Sequence, residues 1–373
     1  MRLACIVGAR PNFMKIAPIL RAMKNHDSLN PILIHTGQHY DKNLSDVFFE
    51  ELGIDPPDIA LGIGSGSHAQ QTADVMVAIE KVLLDAHESG EPFDRLIVVG
   101  DVNSTAAAAI AAVKLHIPVA HVEAGLRSSD RRMPEEINRV ITDAICDMLL
   151  VSEPSGVENL KKEGHPDEII HLVGNVMIDT LMTQVDRAKD SGMVERLGLE
   201  PGAYGVATLH RPSNVDTAEV LGGLVDVIVD ISSEMPFVFP IHPRTKARLE
   251  SFDLLGRLKT APHVHCLEPI GYLDFLNLTS QAKVIVTDSG GLQEESTALL
   301  VPCLTMRENT ERPVTCTQGT STLIGNDTEK LHLYLRQVIE GTYKKGQCPE
   351  LWDGKAAERI SQILIAEGKR KQP

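Results

Sequence analysis

AKVIVTDSGGLQEE, residues 282–295, reads as a short buried strand, a turn and the opening of a helix. Val284, Ile285 and Val286 form the β-branched run, Asp288 to Gly291 are turn formers, and a helical pattern starts at Leu292. A strand that feeds a helix through glycines is the repeating unit of a parallel α/β sheet. Free N–H groups at such a helix start can hold a phosphate, and glycines let it come close. Ser289-Gly290-Gly291 also fits a plain tight βα turn, so the stretch decides the fold before it decides the chemistry.

The same unit recurs along the chain. RLACIV (2–7), PILIHTG (31–37), RLIVVGD (95–101), PVAHVEAG (118–125), MLLVSEP (148–154) and IIHLVGN (169–175) alternate with helical patterns. The rhythm restarts at YGVATLH (204–210) and runs through FVFPIHP (237–243), VHCLEP (264–269) and PCLTMRE (302–308). This predicts an α/β protein of two Rossmann-like domains with parallel, doubly wound sheets. At 373 residues the chain exceeds the size at which one core stops growing. Gly198, Pro201 and Gly202 punctuate the join. We expect one domain over 1–172 and a second over 173–355. A closing segment, 356–373, has helical spacing at Ala357, Ile360, Ile363 and Leu364 and is expected to return to the first domain.

Composition excludes several classes. A net charge of -15 gives no general attraction to nucleic acid or an anionic membrane, so an anionic ligand needs a local basic pocket. Cys5, Cys146, Cys266, Cys303, Cys316 and Cys348 show neither a CxxC pair nor zinc spacing and read as reduced packing residues. No P-loop or DxD-type metal pair is present. The apolar run at the N-terminus is too short for a signal-peptide core, and no stretch reaches the length of a membrane span; a cytoplasmic protein is expected.

Ligands of open α/β sheets bind beyond the carboxyl ends of the strands. The unusual polar clusters fall there: GARPN (8–12), TGQHYD (36–41), GDVNST (100–105), HVEAGLR (121–127), TLHRPSN (208–214) and IHPRT (241–245). Asp101, Glu123 and Glu135 form an acidic set suited to proton transfer, where clustering raises some carboxyl pKa values. Singly, Asp101 also fits the N-cap of an Ala-rich helix at 104–114, and Glu135 a first-turn helix residue after Pro134. Arg10, His210-Arg211, His242-Pro243-Arg244 and Arg312 supply positive charge; Glu295 is spaced to bond a ribose diol or to sit exposed near the helix start. GIGSG (62–66) partly imitates a dinucleotide fingerprint, but no convincing buried strand precedes it and no acidic partner follows, so it reads as a mobile loop.

Taken together, GARPNFMK, GDVNST, HVEAGLR, MPEEINR, GNVMID, TLHRPSN, TDSGGLQEE and ENTERP resemble, in the same order over residues 1–325, the non-hydrolysing UDP-N-acetylglucosamine 2-epimerase family. The resemblance implies a glycosyltransferase-B or glycogen-phosphorylase-like pair of domains with the active site in the interdomain cleft, a homodimer and no cofactor. It implies Asp101, Glu123, Glu135 and His210 as catalytic residues. Ser289, Gly290, Gly291 and Glu295 would hold the nucleotide, Arg10, Lys15, His242 and Arg312 the diphosphate or sugar, and Phe275 the uracil. The implied chemistry is interconversion of UDP-N-acetylglucosamine and UDP-N-acetylmannosamine by anti-elimination of UDP to a 2-acetamidoglucal and re-addition. C2 is not next to a carbonyl, so elimination provides the acidity that direct abstraction lacks.

Two stretches depart from the family. Many bacterial members resemble TAQHR where this chain has TGQHYD, at a site for an activating second UDP-sugar, and the HRRE-like stretch reads His210-Arg211-Pro212-Ser213-Asn214. Another UDP-sugar, such as UDP-glucose or a UDP-diacetamido sugar, is therefore an alternative substrate. Hydrolysing relatives resemble GTRAD at the first loop, unlike GARPN. A glycosyltransferase on the same fold is the alternative of a different class.

Overall fold

The computed structural model describes residues 1–37 and 55–370, with Arg10 and Arg370 by backbone alone. Gln38 to Asp41 of the TGQHYD stretch lie outside the described residues. Cα proximity divides the chain into two units, Met1–Thr180 with the segment from Glu350 onward, and Leu181–Pro349. The division falls inside the helix Val176–Lys189, a little beyond the expected boundary near 173. The reason is local: Val176 packs into the first unit's core and Thr180 Oγ1 donates to the carbonyl of Met14 at 2.6 Å.

In the first unit the described strands are β1 Arg2–Val7, β2 Asn30–Gly37, β3 Ile59–Ile63, β4 Arg95–Val99, β5 Val119–Ala124, β6 Met148–Val151 and β7 Ile170–Leu172. They form a parallel sheet in the order β3-β2-β1-β4-β5-β6-β7. The second unit carries β8 Gly205–Thr208, β9 Phe237–Pro240, β10 Val264–Leu267, β11 Val284–Thr287, β12 Cys303–Thr305 and β13 Ser321–Leu323, in the order β10-β9-β8-β11-β12-β13. Both are Rossmann orders, with the winding reversing between β1 and β4 and between β8 and β11.

A parallel sheet covered on both faces needs strands that are apolar throughout. In β1, Leu3, Cys5 and Val7 face Phe13, Ile16 and Ile19 of the helix Arg10–Lys24 together with Ile360 and Leu364 of the helix Ala356–Arg370. Ala4 and Ile6 face Val75, Ile79 and Leu83 of the helix His68–Glu88 and Ala107, Ala108 and Ala111 of the helix Asn103–Lys114. The second sheet repeats the division, with Val284 and Val286 on one face and Ile285 on the other.

Two strands escape the sequence reading. Residues 59–63, which reach into the GIGSG stretch read as a mobile loop, form edge strand β3 beside β2; every second position is exposed and Gly62 takes φ +69°, so no buried run marks it. Ser67 then caps the following helix by accepting the N–H of Gln70. β13 is three residues long and half polar. No helix among the described residues is long and apolar enough to cross a membrane.

Candidate active site

In the first unit the loops leaving β1 and β4 meet at the switch point. A Cβ on Gly8 would stand 1.9 Å from Ser104 Oγ, so only glycine lets the two loops close. Asn12 ties them, accepting the N–H of Ala9 at 3.1 Å and donating to the carbonyl of Val99 at 2.9 Å. A cavity of about 220 Å³ opens here, and Gly8, Ala9, Asp101, Ser104, Glu135 and Asn138 are among its walls.

Asp101 is not a helix cap: the helix Asn103–Lys114 starts from Val102 without a side-chain bond. Its carboxylate accepts from Arg139 Nη2 at 2.5 Å. Arg139 also bonds Glu136 Oε2 at 2.8 Å. Glu136 in turn receives the N–H groups of Ser128 and Ser129, each at 2.9 Å. Burial pushes the Glu136 carboxyl up, but these N–H donors and Arg139 outweigh it and hold it below its ordinary value. Neighbouring glutamates at the start of the helix Pro134–Ile145 thus part company. Glu136 braces the loop, while Glu135 lines the cavity.

Glu123 sits where the β5–β6 register shifts between Val122 and Ala124 and takes φ +70°. A non-glycine residue in that region costs about 1–3 kcal/mol and is retained only where its surroundings over-determine it. Its buried carboxylate pairs with Lys15 Nζ. Gly100, at φ +69°, passes over the pair: a Cβ there would lie 3.0 Å from Lys15 Nζ and 3.5 Å from Glu123 Oε2. Two of the three expected acids stand in charge-matched pairs, Asp101 with Arg139 and Glu123 with Lys15, because cations enter from the neighbouring helices.

In the second unit, Thr208 and Thr287 are register partners, so the loops after β8 and β11 leave the sheet together. Fully buried Asp288 accepts the N–H of Arg211 at 2.8 Å, that of His210 at 3.0 Å, Asn214 Nδ2 at 3.0 Å and His210 Nδ1 at 2.8 Å. Burial alone would raise its carboxyl pKa; the His210 and Asn214 side chains and the two N–H groups hold it below the ordinary value. With Nδ1 bound to a carboxylate, the neutral His210 ring keeps its lone pair on Nε2, and its side chain is 41% exposed. His242 has the opposite polarity. Its Nδ1 accepts the N–H of Arg244 at 3.2 Å, which puts the ring proton of neutral His242 on Nε2. The two rings stand 5.7 Å apart, one offering an acceptor and one a donor.

The helix Gly290–Ala298 begins at the same switch point, with Ser289 as N-cap accepting the N–H of Leu292. The N–H groups of Gly290 and Gly291 precede the first intrahelical bond and are the anion donors of such an end. A Cβ on Gly291 would meet nothing within 4 Å, whereas one on Gly290 would lie 3.2 Å from Arg307 Nη1. Glu295 is buried rather than exposed, and Tyr272 Oη donates to its Oε1 at 3.2 Å. Burial, with a smaller contribution from Glu294, pushes its carboxyl up to about 7 against the Tyr272 bond, which lowers it.

Phe275, one turn beyond Tyr272 on the helix Tyr272–Ser280, is half-buried against Tyr204, Leu278 and Leu292. Arg312 is buried and bonds Glu294 Oε1 at 2.5 Å, so its charge is matched within the unit. Arg10 begins the helix Arg10–Lys24; its side chain lies outside the described atoms.

Arg139, Asp288, Tyr272 and Arg307 were not singled out from sequence. Arg139 stands in the MPEEINR stretch, one turn after Glu135, and Asp288 immediately precedes Ser289, so their positions carried a signal. Tyr272 and Arg307 are joined to the site only by folding: Arg307 is chelated by Glu311 at 2.9 and 3.0 Å while its Nη1 approaches Gly290.

The family model for UDP-N-acetylglucosamine 2-epimerase matches residues 21–365. The chain is 42% identical to UDP-N-acetylglucosamine 2-epimerase of Methanocaldococcus jannaschii over 98% of its length and 99% of that protein. It is 38% identical to UDP-2,3-diacetamido-2,3-dideoxy-D-glucuronate 2-epimerase of Pseudomonas aeruginosa over 98% of its length and 99% of that protein. The crystal structure of the M. jannaschii enzyme in complex with UDP-GlcNAc and UDP superposes with a TM-score of 0.83 at 41% identity, covering 98% of this chain and all of that one. That of the Neisseria meningitidis enzyme bound to UDP-GlcNAc gives 0.84 at 27% identity, with 98% and 100% coverage.

Proposed function

The chain belongs to the UDP-N-acetylglucosamine 2-epimerase family, and from that premise we propose that it interconverts UDP-N-acetylglucosamine and UDP-N-acetylmannosamine. The observation that carries the chemistry is the cavity whose wall holds both Asp101 and Glu135 at the first switch point. Inverting a carbon requires a base on one face and an acid on the other, and two carboxylates lining one cavity, with Glu123 held by Lys15 nearby, supply differently placed groups.

In the forward step a carboxylate takes the C2 proton while the C1–O bond to UDP breaks, giving 2-acetamidoglucal and UDP. Return of a proton to the other face of C2 and attack of UDP oxygen on C1 complete the inversion. Departing UDP gains negative charge, which the N–H groups of Gly290 and Gly291, His242 Nε2–H, Arg10 and Arg312 stabilise under this reading. Glu295 accepts from the ribose and Phe275 lies against the uracil. His210, steered by Asp288, moves a proton at the sugar or leaving oxygen.

The same reading makes the protein a cytoplasmic homodimer. Its test is NMR of UDP-N-acetylglucosamine turned over in D₂O: deuterium must appear at C2 of both epimers, and turnover without label overturns the elimination scheme. Accumulating free UDP with N-acetylmannosamine would indicate hydrolysis instead. The resemblance to the P. aeruginosa enzyme makes a UDP-diacetamido uronate the second substrate to assay.

A further inference from the structure

We propose that His121 and Asp143 form a buried positioning pair in which His121 donates from both ring nitrogens, holding the Gly100–Asp101 turn and the Glu123 bulge in place for proton transfer. The proposal rests on the reading of Asp101 and Glu123 as acid/base residues.

Both side chains are fully buried. His121 Nε2 lies 2.8 Å from the carbonyl of Gly100, an oxygen that can only accept, so Nε2 carries a proton. Nδ1 lies 2.6 Å from Asp143 Oδ1. The other Asp143 oxygen accepts the N–H of Gly125 at 3.0 Å and pairs with Arg127 Nη1 at 2.7 Å. A carboxyl surrounded by these donors is ionised, which makes Nδ1 a donor too. The ring is then an imidazolium. Charge closes locally, since Arg127 also pairs with Glu163 at 2.6 Å: two cations, His121 and Arg127, meet two anions, Asp143 and Glu163.

A buried histidine kept only for packing needs one donor and one acceptor around a neutral ring; this one faces two acceptors. The geometry shows what the second proton does. His121 grips the carbonyl of Gly100, whose N–H bonds the carbonyl of Val122 at 3.1 Å, while Asp143 grips the N–H of Gly125. Between those anchors Glu123 holds φ +70°, flanked by Gly100 at +69° and Gly125 at +80°. The pair therefore pins the strained bulge from both sides and fixes the residue before Asp101.

The charged groups facing the ring are Asp143 from the helix Pro134–Ile145, Arg127 from the loop after β5 and, through Arg127, Glu163. The nearby Cys146 thiol is pushed up first by burial and then by Asp143, so it stays neutral. His121 is not among the walls of the cavity that holds Asp101 and acts through Gly100 and Gly125.

The test uses the full chain with ¹⁵N-labelled histidine. Long-range ¹H–¹⁵N correlation spectra at about pH 7.5 should show both His121 ring nitrogens protonated, the signal being assigned by side-chain-to-backbone correlations in the unsubstituted protein. A neutral single-tautomer pattern overturns the proposal whether or not the variants fold. His121→Gln and Asp143→Asn should lower kcat about a hundredfold per folded molecule, the cost of misplacing a reacting group by about 1 Å, with KM and UDP affinity within about threefold. A merely structural role would reduce the folded fraction and leave kcat per folded molecule unchanged, which also overturns it. If the unsubstituted protein shows no epimerisation, the functional reading fails on its own, and the NMR pattern still decides the pair.

Discussion

The switch points at β1/β4 and β8/β11 share a topology and almost nothing else. At the first, acidic side chains are displayed and cations from adjacent helices neutralise them: Arg139 for Asp101, Lys15 for Glu123. At the second, Asp288 is turned inward and consumed by backbone N–H groups, Asn214 and His210, leaving N–H donors and imidazoles at the strand ends. Under the proposed function, one sheet order serves proton chemistry in one unit and anion binding in the other. The strand ends supply the location, and the residues of the loops leaving them supply the chemistry.

Replacing Asp101 with Asn gives the largest expected effect, a loss of about 10²–10⁴ in kcat by NMR assay, with UDP affinity changed by less than about threefold. Equal loss of UDP affinity would break the division between the units. Asp288→Asn attacks the other site where it is structural: buried donors lose their ionised acceptor, at about 3 kcal/mol, read as a lowered unfolding midpoint in calorimetry, whereas Asp101→Asn at a partly exposed pair costs under about 1 kcal/mol. The Asp288 carboxyl is depressed in the folded state, so its contribution is present above the ordinary carboxyl range and lost as pH falls toward the folded value. The variant should lose less stability on acidification.

Glu295 titrates in the opposite sense. Raised to about 7, its carboxyl favours the folded state most at low pH, and that contribution fades as pH rises from the ordinary carboxyl value toward 7. Under the proposed function UDP binding uses the ionised Glu295 acceptor, so affinity should rise up to about tenfold from pH 6 to pH 8 relative to Glu295→Gln, a comparison that cancels the titration of UDP itself. Titration calorimetry reads both. The smallest effect belongs to Tyr272→Phe, which removes the bond favouring ionised Glu295 and should move that midpoint upward. A downward shift would mean that Tyr272 does not act through Glu295.

The fold was legible wherever a strand is buried on both faces, because β1, β4 and β11 then carry uninterrupted apolar runs at residues 3–7, 96–99 and 284–286. β3 was not, since edge exposure and Gly62 remove the run, nor was β13, too short to show a period. Within the site, residues that announce themselves by spacing were found, including Ser289-Gly290-Gly291 and the strand-end histidines. Arg139 was not, and Lys15 was expected at the diphosphate or sugar rather than beside Glu123, because the two cations reach Asp101 and Glu123 over long sequence separations. The exchange of roles between Glu135 and Glu136 depends on the loop at Ser128 and Ser129, which no helical period reveals.

The helix Ala356–Arg370 covers Leu3, Phe13 and Ile16, laid down at the opposite end of the chain. During synthesis the contiguous second unit, Leu181–Pro349, emerges whole before that cover exists. The protein therefore finishes in an order unlike its sequence: the half that begins last can be completed first, and the half that begins first waits for the final helix. A chain released after Pro349 would carry every strand of the second sheet but leave part of one apolar face of the N-terminal sheet, around Leu3, Phe13 and Ile16, without its cover.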